Sequence, residues 1–160
     1  MFYLKYSKGF WFFIFKTCGD SHLADDIFQE SFFKFLKFAP IDLNEFQQKA
    51  YLYKIAFRLI IDEKRKAREM DNRDTETLGQ NMEGQEVANS MLSIDMEKIF
   101  TQLKPGERVL LWLAYVEGYT HKEIAEITGK KEKSIKVVLF RTRKKFSGIL
   151  KQRGYQGGSI

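Results

Sequence analysis

Thr120–Phe146, THKEIAEITGKKEKSIKVVLFRTRKKF, constrains this chain more than any other stretch, because it reads as two helices joined by a tight turn. Ile124, Ala125 and Thr128 share one face of a short first helix. Ile135, Val138, Leu139 and Thr142 then resume an apolar stripe at i, i+3, i+4 and i+7. Gly129 stands between them, where a helix C-cap prefers a residue that takes positive φ without strain. Ala125 suits two helices crossing closely, where a larger side chain has no room. From Lys130 to Lys145, eight Lys and Arg stand against the single acid Glu132. A solvated helix mixes its charges, so this excess marks a surface for phosphate. The plainer alternative is a helical hairpin with a basic end.

Composition narrows the classes. The 160 residues fit one domain or two small ones, and a 44% hydrophobic share with fifteen Phe supplies a core. A net charge of +6 suits a polyanionic partner. The lone Cys18 excludes an internal disulfide and a Cys-rich zinc site, and only His22 and His121 could add imidazoles. No metal cluster and no cofactor are expected. Phe10–Phe15 is apolar but far shorter than the ~20 residues a membrane span needs. It lacks a small-residue cleavage site and reads as a buried aromatic helix. No membrane insertion and a cytoplasmic location are expected.

The spacing is helical nearly throughout, and strand signals are almost absent, so the fold class is all-α. Residues 71–90 break the pattern: five acids face one Arg, two glycines occur, and large apolar residues are scarce. Such a segment buries too little surface to order itself. The reading is therefore a helical lobe at 1–68, a flexible acidic linker at 69–91, a second helical lobe at 92–150 and a disordered tail at 151–160.

In the first lobe, Ser21 or Asp20 caps a helix reaching about Phe38, with Ala24, Ile27, Phe28, Ser31, Phe35 and Phe38 inward. Its opposite face carries Asp26, Gln29, Glu30 and Phe33, an acidic surface around an aromatic that suits a protein partner. Pro40–Gln48 interrupts, and a third helix runs from about Lys49 to Arg68, with Leu52, Ile55, Ala56, Leu59 and Ile60 inward. Its outer face presents Lys54, Phe57, Arg58, Ile61 and Arg65, with Tyr51 and Tyr53 at the entry flanks, Tyr53 nearer the inward stripe and Tyr51 the ring expected to face outward. Cations interleaved with rings suit a single strand, the cations following phosphates and the rings offering stacking surfaces. In the second lobe Ile94–Leu103 is amphipathic and Pro105 opens the next helix. Residues 109–116, VLLWLAYV, are apolar all round and therefore central to that lobe. Thr120 with Glu123 forms a capping box for the helix that follows.

Together these motifs resemble the bacterial RNA polymerase sigma factors of the extracytoplasmic-function class, which retain regions 2 and 4 of the sigma-70 family. GDSHLADDIFQESF and AYLYKIAFRLIIDEKR are similar to the two region 2 motifs, and LKPGERVLLWLAYVEGYTHKEIAEITG is similar to region 4. The resemblance implies a factor that binds core polymerase and directs promoter recognition, without catalysis of its own. It assigns Asp26, Gln29, Glu30 and the adjoining Phe33 to the clamp helices of the polymerase largest subunit, and makes the flap a further polymerase contact. It assigns Tyr51, Lys54, Arg58, Asp62 and Arg65 to the melting minus-ten element, and Pro40–Gln48 to capture of a flipped base. It assigns Lys133, Ser134, Lys136, Arg141 and Lys144, with the cap Thr120, to the minus-thirty-five element. An anti-sigma protein is a further partner that the family commonly has. The chain departs from the family where Tyr51 replaces a common Trp, Arg58 a common Asn, and Val137 and Val138 a frequent Ser-Arg. Lys130 likewise replaces an apolar turn residue.

Two rivals follow from the residues alone. A stand-alone helix-turn-helix regulator would use only the second lobe and leaves the acidic patch without a job. A nuclease would need convergent carboxylates, yet Asp25 and Asp26 diverge on a helix and no third group joins Glu30.

Overall fold

The computed structural model describes residues 2–71 and 98–154, and every regular element among them is helical. The chain divides into two units, Met1–Gln85 and Glu86–Ile160. Residues 69–71 of the predicted linker are helical, as are 151 and 152 of the predicted tail, and the remainder of the linker falls outside the described residues. So do the tail from residue 155 onward and the first four residues of the helix expected at Ile94–Leu103.

Unit 1 is a three-helix assembly of α1 (Phe2–Cys18), α2 (Ser21–Phe38) and α3 (Glu45–Asp71), each packed on the other two. Phe10, Phe13 and Ile14 are buried, so the apolar run is a core helix. Removing each such side chain from water is worth about 1.5–3 kcal/mol. Asp20 is the cap of α2, its carboxylate accepting from the backbone N–H groups of His22 at 2.8 Å and Leu23 at 3.2 Å. Helix α3 starts at Glu45, four residues before the expected start. The cause is local: the Asn44 side chain accepts from the Gln47 N–H at 2.8 Å, and Gln47 accepts from the Asn44 N–H at 3.0 Å. This Asn-x-x-Gln capping pair was legible in the sequence. Glu45 is tied to α1 by Lys5 at 3.0 Å and by the Tyr6 hydroxyl at 2.8 Å.

Two side chains differ from the expected faces. Phe57, placed outward by spacing, is buried, because α3 is covered by two helices and its apolar arc is wider than one stripe. Tyr53, on the flank nearer the inward stripe, is buried as that position implies, edge-on to Phe13 at 4.7 Å and Phe10 at 5.4 Å. Phe38, placed inward, is exposed: α2 ends there as the Ala39 N–H caps Phe35, and the Lys37 ammonium lies 5.3 Å from the Phe38 ring.

Unit 2 contains α4 (Pro105–Leu111), which continues into a widened π-helical turn at Trp112–Val116, then α5 (His121–Thr128) and α6 (Glu132–Gln152). Helix α6 packs against both α4 and α5. Val109, Leu110, Leu111 and Leu113 are buried, but Tyr115 and Val116 are exposed, so residues 109–116 are not enclosed throughout. The Glu117 N–H reaches back five residues to the Trp112 carbonyl at 3.0 Å, and this wider turn shifts the face presented to the core. Arg108 is buried, with its guanidinium donating to the carbonyls of Leu103 at 2.9 Å and Thr101 at 2.7 Å. Among the described residues, no helix is long and apolar enough to cross a membrane.

Candidate functional site

The helix-turn-helix in unit 2 follows directly from local chemistry. The Thr120 hydroxyl accepts from the Glu123 N–H at 3.2 Å while Glu123 accepts from the Thr120 N–H at 2.9 Å, completing the capping box. Gly129 ends α5 in the left-handed region, φ 71°, and the chain turns into α6. Ile124, Ile135, Leu139 and Thr142 are buried, while Val138, Ala125 and Thr128 are half-buried. Ile127, which the spacing argument passed over, is also buried.

With that stripe inward, Lys133, Ser134, Lys136, Arg141 and Lys144 are all exposed on α6, and Thr120 is exposed at the start of α5. The Lys144 ammonium stands 4.7 Å from the centre of the Phe140 ring. Two apolar side chains share this face, Val137 at 47% and Phe140 at 57% exposure. Nothing in the charge pattern singled them out.

Unit 1 carries two further surfaces. On α2, Asp26, Gln29, Glu30 and Phe33 recur at i, i+3, i+4 and i+7, and all four are exposed. Glu30 pairs loosely with Lys34 at 3.7 Å, and the Lys37 ammonium lies 5.8 Å from the Phe33 ring. Asp25, by contrast, accepts from the Trp11 indole at 2.7 Å, which gives it a structural role between α1 and α2.

On α3, Tyr51, Lys54, Arg58, Asp62 and Arg65 follow i+3 and i+4 steps and so share one face. Arg58, Asp62 and Arg65 are exposed, and Tyr51 and Lys54 are half-buried. Tyr51 sits edge-on to Phe35 with centroids 6.2 Å apart. Asp62 and Arg65 form an ion pair at 3.2 Å, so this face carries one paired and two further cations. Among the described residues no group of three or more His, Cys, Asp or Glu could hold a metal ion.

Comparison with known proteins bears on both units. Residues 2–70 match the family described as Sigma-70 region 2, and residues 94–146 match Sigma-70, region 4. The chain is 31% identical over 121 residues to the RNA polymerase sigma factor SigV of Bacillus subtilis (strain 168), covering 76% of this chain and 72% of that protein. It is 25% identical over 158 residues to the ECF RNA polymerase sigma factor SigM of the same organism, covering 92% and 91% of the two chains. The fold is similar to that of the sigma factor RpoE from Bartonella quintana, solved in complex with the anti-sigma factor NepR, with a TM-score of 0.74 at 21% identity. That likeness covers 93% of this chain and 94% of the other. With region 2 in the first unit and region 4 in the second, this chain belongs to the sigma-70 family, as a sigma factor of the extracytoplasmic-function class that directs promoter recognition.

Proposed function

We propose that the three exposed faces divide the labour of transcription initiation. Asp26, Gln29, Glu30 and Phe33 on α2 dock on the clamp helices of the polymerase largest subunit, and region 4 engages the flap. Tyr51, Lys54, Arg58, Asp62 and Arg65 on α3 hold the minus-ten element as it opens, cations along phosphates and Tyr51 against a base. Lys133, Ser134, Lys136, Arg141 and Lys144 on α6, with Thr120 at the cap of α5, address the minus-thirty-five element in duplex form. The boundaries that go with this reading are those expected from the sequence, with the first lobe extended from 68 to Asp71 and the second from 150 to Gln152, where α3 and α6 end.

One observation carries the reading. In unit 1 an acidic exposed face on α2 and a cationic exposed face on α3 stand on the same three-helix body. A protein partner and a nucleic-acid strand can therefore be bound by one unit with opposite electrostatics. The factor acts through binding, with no catalytic chemistry of its own, beside polymerase in the cytoplasm. An anti-sigma protein, of the kind present in the Bartonella quintana complex, is a further partner.

Run-off transcription with core polymerase from the same organism on a promoter library tests the whole assignment. The expected result is a shared two-element motif among active templates, lost upstream when α6 is neutralised. Specific duplex binding without polymerase, with no stimulation of transcription, would overturn it. A metal-dependence assay on single-stranded and duplex DNA checks the absence of nuclease activity.

A further inference from the structure

The exposed face of α6 is not uniformly polar. Val137 and Phe140 are three residues apart, so they are neighbours on one helix face, and both are substantially exposed. Cations frame them at helical spacing: Lys133 one turn before Val137, Arg141 one turn after it, and Lys144 one turn after Phe140. Lys144 is drawn over the Phe140 ring, its ammonium 4.7 Å from the centroid, which leaves its alkyl stem beside the aromatic. The result is a small exposed apolar patch flanked by positive charge.

An exposed apolar patch on a solvated helix gains nothing from water. The charge around it favours a polyanion, and duplex DNA offers one apolar group on its major-groove base edges, the C5-methyl of a pyrimidine. We propose that Val137 and Phe140 form a methyl-reading patch that selects thymine within the minus-thirty-five element. This rests on the assignment of α6 to that element and deepens it. Val137 becomes a specificity-determining residue, while the flanking cations position the helix on phosphates. A valine has no hydrogen bond to offer a base, so what it can discriminate is the presence or absence of a methyl.

The test uses the full chain assembled with core polymerase, on a promoter that this holoenzyme itself selects from a randomised library. Each thymine of the upstream element is replaced by deoxyuridine, which removes only the methyl, and in a second series cytosines are replaced by 5-methylcytosine. Replacement at one or two thymines should weaken binding about fourfold, the equivalent of ~0.8 kcal/mol for one buried methyl. Val137→Ala should bind more weakly on thymine and lose most of that distinction. Lys133→Ala should weaken binding equally on thymine and deoxyuridine templates. A holoenzyme indifferent to deoxyuridine at every position overturns the methyl-reading patch while leaving the duplex-reading assignment intact. So does a Val137→Ala variant with undiminished methyl sensitivity. A wild-type holoenzyme that selects no upstream motif at all overturns the α6 assignment, and the methyl-reading patch with it. Thermal melts of the two variants keep the comparison to folded protein, since both positions are exposed.

Discussion

The carboxylate of Glu107 lies 3.2 Å from the Lys145 ammonium, joining the first turn of α4 to the basic helix α6. The same side chain accepts from the Lys104 backbone N–H at 3.0 Å and lies 3.4 Å from the Thr142 hydroxyl. One residue therefore caps α4 and braces the helix proposed to meet duplex DNA. Partial burial works against its charge, but the Lys104 N–H, Lys145 and Thr142 outweigh that, so its carboxyl titrates below the ordinary value.

A depressed folded pKa means that Glu107 stabilises unit 2 at pH above the ordinary carboxylate value, a contribution lost as pH falls through the folded value. Glu107→Gln should cost about 1 kcal/mol near neutrality, because Lys145 is half in water and screened. The deficit should shrink on acidification. Thermal melts of both proteins across that range measure it, and a deficit independent of pH would show that the charge is not what matters.

Gly129 occupies φ 71° with no atom within 4 Å of where a Cβ would stand. Gly129→Ala should therefore destabilise unit 2 by conformation alone, by about 1–2 kcal/mol. A chemical denaturation curve gives the value. An unchanged midpoint would mean that the turn adopts another backbone at no cost.

Tyr51 and Tyr53 are two residues apart and should respond in opposite ways. Tyr53→Ala removes a ring buried against Phe10 and Phe13 and should cost about 3–5 kcal/mol of unit 1 stability. Tyr51→Ala should leave core binding intact but reduce open complexes, by the ~1–3 kcal/mol of one stacked base. A pre-melted bubble template should restore much of that loss. If the bubble rescues nothing, Tyr51 serves packing against Phe35.

Reversing the charges of Asp26 and Glu30 with Gln29→Ala should weaken binding to core polymerase by tenfold or more, about 1.4 kcal/mol. Folding should be unaffected, since all three are exposed. Titration of labelled protein with core polymerase decides it, and wild-type affinity in the triple variant would remove α2 from the interface.

Lys144→Ala should lower duplex affinity of the holoenzyme by a similar factor on every sequence and reduce the salt slope by about one unit. Lys136, on the flank of the same helix, should instead change preference at particular base pairs, by about 1–3 kcal/mol for a good base contact. Salt titrations on several sequences separate the two, and uniform loss for Lys136→Ala would make it a phosphate contact.

Local chemistry was legible in the residues themselves. The capping box at Thr120 and Glu123, the left-handed Gly129 and the buried stripe through Ile135, Leu139 and Thr142 follow from periodicity and cap geometry, which act over one or two turns. So did the exposed settings of Asp26, Gln29, Glu30 and Phe33, whose burial depends on a single helix face. What the tertiary structure decided is how wide each buried face is. Phe57 is buried because α1 and α2 both cover α3, and a helical wheel drawn for one helix does not count its neighbours. Tyr115 and Val116 are exposed because the turn widens at Trp112, a change in hydrogen-bond register that apolar composition does not encode. Long-range pairs such as Glu107 with Lys145 and Glu45 with Lys5 likewise depend on which helices meet. Val137 and Phe140 show the same division: their apolar character is written in the sequence, but the packing of α6 against α4 and α5 is what turns them outward.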